Sequence, residues 1–200
     1  MTDQVETGFP RRRAPVSRAV SRLLLGVTGW RVEGELPACP KFVVIVAPHT
    51  SNWDFVLGIL GMFVTGVRAS WLGKHTIFRF PLTPLLRWLG GEPIDRSAAH
   101  GTVGIAVEHF RTRPPWVLGL SPEGTRRRVD RWKTGFYRIA LGAGVPIVPV
   151  TLDFRRRVLG IGSPVMPGPN EAVEVAKLHA LFRKEMAKYP EKFAEATTGP

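Results

Sequence analysis

Acidic residues are scarce in this chain. Its 200 residues carry 16 Asp and Glu against 28 Lys and Arg, a formal charge of +12. Such a surplus draws a protein toward anionic partners: phospholipid surfaces, phosphorylated small molecules or nucleic acid. Cysteine is nearly absent. Cys39 stands alone, which excludes an internal disulfide and fits a reducing compartment. It lies in the proline-bounded loop Leu36-Pro37-Ala38-Cys39-Pro40 with no base beside it, so packing suits it better than nucleophilic attack. Long apolar runs are missing as well. The uncharged apolar run Phe55 to Val67 has thirteen residues, whereas a spanning helix needs about 20. A standard signal peptide is also missing, because arginines recur at 18 and 22 inside the short apolar stretch that follows Arg11-Arg12-Arg13. No serine sits in a nucleophile-elbow pattern. The five histidines (49, 75, 100, 109 and 179) lack the spaced Cys, His, Asp or Glu partners of a metal site, so no metal is expected. There is no internal repeat and no interdomain linker, and this length fits one domain.

What is present alternates. Strands are expected at 42–47, 68–72, 115–120 and 146–152, and helices at 52–64, 81–89, 98–111, 134–142 and 171–188. Ser97 and Asn170 are candidate N-caps for the third and last of these helices. The Gly/Pro-rich stretch from 160 to 169 is expected to be a closing strand or a loop. Alternation of this kind implies an α/β fold: one domain, a mostly parallel mixed sheet flanked by helices.

Two strand ends carry chemistry. The apolar run Phe42 to Ala47 leads into Pro48-His49-Thr50-Ser51-Asn52-Trp53-Asp54, with Ser51 or Asn52 able to cap the next helix. Open α/β sheets hold their ligands at the ends of such strands. His49 there can accept a proton near neutral pH, and Asp54, with four residues between, can fix its tautomer. Taken alone, this pair fits a core histidine beside a capping acid equally well. The second strand, Pro115 to Leu120, ends in Ser121-Pro122-Glu123-Gly124-Thr125-Arg126-Arg127-Arg128. Gly124 permits a tight turn, and arginine offers a planar fork that matches phosphate oxygens. For Arg127, Arg128 and Arg131 a solvated basic surface is the simpler role.

These two blocks resemble the first and third signature blocks of the glycerolipid acyltransferases, the family that includes the 1-acylglycerol-3-phosphate acyltransferases. Gly73-Lys74-His75 through Phe80-Pro81 to Gly91-Glu92-Pro93-Ile94-Asp95-Arg96 resembles the second block, and Val145-Pro146-Ile147-Val148-Pro149-Val150 the fourth. Lys133-Thr134-Gly135-Phe136 resembles the element between. The blocks stand in family order over about residues 42–152. Ser121 departs from the pattern, since members often carry an aromatic residue before the proline. The resemblance implies transfer of an acyl group from a thioester, acyl-CoA or acyl-carrier protein, to the hydroxyl of a lysophospholipid. It implies His49 as general base with Asp54 behind it, no covalent acyl-enzyme and no cofactor. Glu123, Gly124, Thr125 and Arg126 would bind the acceptor headgroup, with Lys74 and Arg96 adding phosphate contacts. Oxyanion donors would come from backbone amides after His49 or near Gly124. Glycerol-3-phosphate, another lysophospholipid or a lyso-aminolipid remain alternative acceptors. A non-enzymatic basic module on lipid or nucleic acid is the competing class, and it leaves the ordered blocks unexplained; nucleic acid is therefore not an expected partner.

Residues 1–31 form a basic arm and amphipathic helix, ahead of an acyltransferase domain over 32–200. Val16, Val20, Leu23, Leu24 and Val27 recur at spacings of three and four, with Ser17, Arg18, Ser21 and Arg22 elsewhere. Such a helix can lie in a headgroup layer or pack on the domain. With a lipid substrate, the expectation is peripheral, monotopic attachment at the cytoplasmic face of an anionic membrane.

Overall fold

Residues 8–94, 101–113 and 115–194 are described by the structure, a computed structural model. The elements run α1 (Pro15–Val27), β1 (Arg31–Glu33), β2 (Lys41–Ala47), α2 (Asn52–Thr65), β3 (Ala69–Lys74), α3 (Leu82–Trp88), β4 (Gly91–Ile94), α4 (Gly101–Thr112), β5 (Trp116–Leu120), α5 (Gly135–Ala143), β6 (Ile147–Asp153), β7 (Val158–Ile161) and α6 (Glu171–His179). They build one seven-stranded sheet in the order β1-β7-β6-β2-β5-β3-β4. Strands β6, β2, β5, β3 and β4 run parallel, and β7 returns antiparallel to β6. The expected α/β architecture, a mostly parallel sheet between helices with an N-terminal helix, is the one found.

β2 shows why the sheet is buried on both sides. Its β-branched run alternates: Val43, Ile45 and Ala47 pack into one core, while Phe42, Val44 and Val46 face the other. The first core holds Phe110 of α4, Phe136 and Tyr137 of α5 and Leu178 of α6. The second holds Leu25 of α1 and Leu57 and Met62 of α2. A strand covered on both faces reads as continuous apolar sequence, as β2 does. Ser51 caps α2, and Gly66, in the left-handed region at φ 76°, ends it.

Three parts of the sequence reading change. β1 and β4 are added; they have three and four residues, too few to show periodicity, and β4 contains Pro93, tolerated because β4 is an edge strand. The closing strand is β7, at 158–161 and thus mostly ahead of the Gly/Pro stretch. The helix expected over 171–188 stops at His179. Beyond it the buried positions are Phe182, Ala187, Phe193 and Ala194, which do not keep helical spacing. The chain there turns back, so that the His179 ring contacts the Ala194 carbonyl at 2.8 Å. Asn170 does cap α6, its Oδ1 accepting from the Val173 N–H at 3.2 Å. Ser97 lies outside the described residues.

The N-terminal helix is amphipathic in an inverted sense. The residues it buries are Ser21 and Leu25, and Arg18 donates to the Val64 carbonyl of α2 at 3.1 Å. The apolar stripe points away: Val16 is 75 % exposed, Leu23 65 % and Val27 71 %. Phe80, Leu82, Leu85 and Trp88, in and before α3, are more than half exposed too. Arg12 links the two regions, its guanidinium lying over the rings of Phe63 and Trp88. Among the described residues no helix is long and apolar enough to cross a membrane.

Candidate active site

β2 and β5 are neighbours, with Ile45 opposite Leu120. Their parallel run sends the loops at 48–51 and 121–134 off the same edge of the sheet. His49 stands on the first loop. Asp54 is the third residue of α2 and only 2 % exposed. Its Oδ2 accepts from the Ser51 backbone N–H and its Oδ1 from the Ser51 hydroxyl, each at 2.7 Å. The helix N-terminus favours an acid at this position. So held, Asp54 presents Oδ2 to His49 Nδ1 at 3.4 Å, while the imidazole keeps partial access to solvent. A carboxylate on the Nδ1 side leaves Nε2 as the atom that takes a proton.

Glu123 crosses between the loops. Its Oε1 accepts the His49 backbone N–H at 3.0 Å, linking residues 74 positions apart. The side chain is 1 % exposed, and Oε2 is buried without a partner among the described residues. Burial pushes this carboxyl above the usual carboxylate range, opposed by the His49 N–H and imidazole. Glu123 is thus turned inward, toward the backbone of the His49 loop, and is covered from solvent. Gly124 turns the chain at φ 65°, where a Cβ would approach the Lys133 side chain to 3.2 Å. The Lys133 N–H closes this loop on the Pro122 carbonyl at 2.8 Å. Thr125 is half-buried, and its Oγ1 accepts from the Arg127 N–H at 3.4 Å.

Arg126 faces outward and lines a cleft of about 290 Å³ together with residues 50–53, Tyr189 and Lys192. Arg127 and Arg128 are exposed and do not line it. Lys74 is the last residue of β3, opposite Ile94 of β4, so its backbone reaches the same edge of the sheet. Arg96 lies outside the described residues. Three amides are withdrawn from the pool of oxyanion donors: those of His49, Ser51 and Gly124 already donate within the protein. Cys39 is half-buried with its thiol pushed up by burial, which weakens it as a nucleophile.

A larger cleft of about 540 Å³ lies along edge strand β4, lined by Glu92, His109 and Arg113 among others. Glu92 is already occupied there, accepting from Ser70 Oγ at 2.7 Å and Arg113 at 2.9 Å. His109 is lowered by burial and by Arg113. The cleft shares no lining residue with the His49 and Arg126 loops.

Sequence reasoning missed the C-terminal segment. Tyr189 donates its N–H to Thr50 Oγ1 at 3.2 Å across 139 positions. Nothing in the local pattern around 183–193 signals such a partner.

A His–Asp pair and a Glu-Gly-Thr-Arg loop thus stand together at one edge of an open, mostly parallel sheet. Residues 31–153, more than half of the chain, match the family described as Acyltransferase, and the chain belongs to that family. It is 34 % identical over 117 residues to the 1-acyl-sn-glycerol-3-phosphate acyltransferase of Escherichia coli (strain K12), covering 55 % of this chain and 46 % of that protein. It is 32 % identical over 135 residues to the protein of the same name from Salmonella typhimurium, covering 62 % and 54 %. The chain thus spans about half the length of the curated relatives it matches. Its fold is similar to the crystal structure of the 1-acyl-sn-glycerophosphate (LPA) acyltransferase, PlsC, from Thermotoga maritima. That likeness has a TM-score of 0.61 at 21 % identity and covers 82 % of this chain and 74 % of the other.

Proposed function

We propose that this chain is an O-acyltransferase that carries a fatty acyl group from an acyl thioester to the free hydroxyl of 1-acylglycerol-3-phosphate. The observation that supports this best is the buried, doubly hydrogen-bonded Asp54 facing His49 Nδ1 at 3.4 Å. Family membership and the names of the relatives agree with it. The acceptor hydroxyl is far too weak an acid to ionise at neutral pH, so it needs a base. His49 Nε2 takes its proton as the oxygen attacks the thioester carbonyl, a contribution of about 10²–10⁴ in rate. Asp54 stabilises the imidazolium. Collapse of the tetrahedral intermediate releases the thiolate, which receives the proton back from His49. Glu123 fixes the height of the His49 loop, and Arg126 meets the acceptor phosphate.

The donor is acyl-CoA or acyl-carrier protein, and the site of action is a membrane surface. The outward stripe of α1 and the exposed apolar residues around α3 support peripheral attachment, with Arg11, Arg13 and Arg22 beside them for anionic headgroups. The experiment is product analysis by mass spectrometry with purified full chain, offered lysophosphatidate, other lyso-lipids and both donor types. Phosphatidate formed by the wild type and lost in His49→Ala is the expected result. Unchanged product from His49→Ala would remove the base from the scheme.

A further inference from the structure

The C-terminal segment lies outside the family match at 31–153, yet it supplies part of the cleft beside Arg126. We infer that this cleft is a phosphate-monoester site whose binding set is completed by Lys192 and Tyr189 from that segment. The identity of the molecule bearing the phosphate rests on the acyl-transfer reading above.

Charge comes first. Among the described residues the cleft is lined by two cations, Arg126 and Lys192, and by no acidic residue. None of the ion pairs among the described residues engages Lys192. Its ammonium lies 4.5 Å from the Tyr189 ring centroid, which fixes its direction without neutralising it. An arginine fork and a lysine point charge are complementary ways to hold phosphate oxygens. Size agrees, since about 290 Å³ is at the low end for small-molecule sites. It admits a phosphate and its few attached atoms and leaves an acyl chain outside.

Rigidity comes next. A binding group on a loose tail would lose affinity to ordering entropy. This tail is fastened on both sides of the residues in question. The Phe154 N–H donates to the Met186 carbonyl at 2.8 Å, and Tyr189 is tied to Thr50. The Lys188 ammonium sits 5.0 Å from the Trp53 ring and 5.9 Å from those of Phe154 and Tyr189. On the far side Phe193 is buried and Ala194 accepts from His179. Lys188 thus clamps the tail to Trp53, the residue next to Asp54, so the phosphate would sit within reach of the His49 loop.

Calorimetric titration of the full chain tests this with two phosphate monoesters. Glycerol 3-phosphate stands for the acceptor headgroup and adenosine 3′,5′-bisphosphate for the nucleotide end of coenzyme A. Lys192→Ala is expected to weaken one of them about tenfold, with Lys192→Arg and the remote control Arg183→Ala binding as wild type. The compound that loses affinity identifies the source of the phosphate. Binding by Lys192→Ala within about twofold of wild type for both, or no binding of either by the wild type, overturns the site. Lys192-dependent binding in a chain that transfers no acyl group would retire the acyl-transfer reading and leave the phosphate site standing.

Discussion

In the proposed scheme His49 and Asp54 divide one task, and their variants should fail differently. His49→Ala removes the proposed base and is expected to cut turnover by about 10²–10⁴, with the fold retained, because His49 stands on the loop after β2. Asp54→Asn should lose activity and stability together, since Asp54 also receives both Ser51 donors; a lost cap costs about 1 kcal/mol. Arg126→Ala is expected to weaken a phosphate-bearing acceptor by about 1.5–3 kcal/mol, with Arg127→Ala and Arg128→Ala near wild type. KM measured with lysophosphatidate and with uncharged monoacylglycerol separates these cases. Equal effects at all three arginines would mean a diffuse basic surface. Glu123 carries a pH signature. Its folded carboxyl lies above the unfolded value, so the folded chain keeps a proton that the unfolded chain has released. The stability this provides is full below the ordinary carboxylate range and is lost as pH rises through the folded value. Glu123→Gln keeps an oxygen for the His49 N–H and removes the titration. Melting curves from about pH 4 to 8 should be flatter in this variant. A wild-type curve with the same slope would sink the assignment.

At the scale of elements, the inverted orientation of α1 makes a prediction that periodicity alone could not. Val20→Glu, Leu23→Glu and Val27→Glu together should abolish flotation with anionic vesicles and leave melting nearly unchanged, because all three are exposed. Leu25→Ala, on the buried face, should do the reverse and cost about 2–5 kcal/mol. The sequence displayed the stripe at 16, 20, 23, 24 and 27 but not its direction, which is set by Ser21 and Leu25 docking on α2. β2 and α2 were legible for local reasons: an unbroken apolar run, a serine cap and Gly66 just past the helix. β4 was not, since four residues with a proline have no period. The Glu-Gly-Thr-Arg loop was recognisable as a motif, but the inward turn of Glu123 was not, because its partner is a backbone N–H supplied by another strand end. The tail beyond His179 was misread as helix, its partners being tertiary.

For the whole molecule, the +12 charge and the outward apolar residues should act together at a lipid surface. Each basic residue near an anionic membrane adds about 1 kcal/mol, and salt screens this within a Debye length of about 8–10 Å. Vesicle binding should therefore weaken, but not vanish, between low and high salt; complete loss would leave the α1 stripe without a part. The two contacts that define the site join residues 74 and 139 positions apart. Contacts of such separation form late, because the chain must close long loops before they repay the entropy. Helices can regain their circular dichroism early in refolding, whereas the cleft exists only once β2, β5 and the tail are all seated. Recovery of activity after dilution from denaturant should accordingly lag the helical signal. Competence in this protein is then a property of the finished fold, and no fragment short of it is expected to turn over substrate.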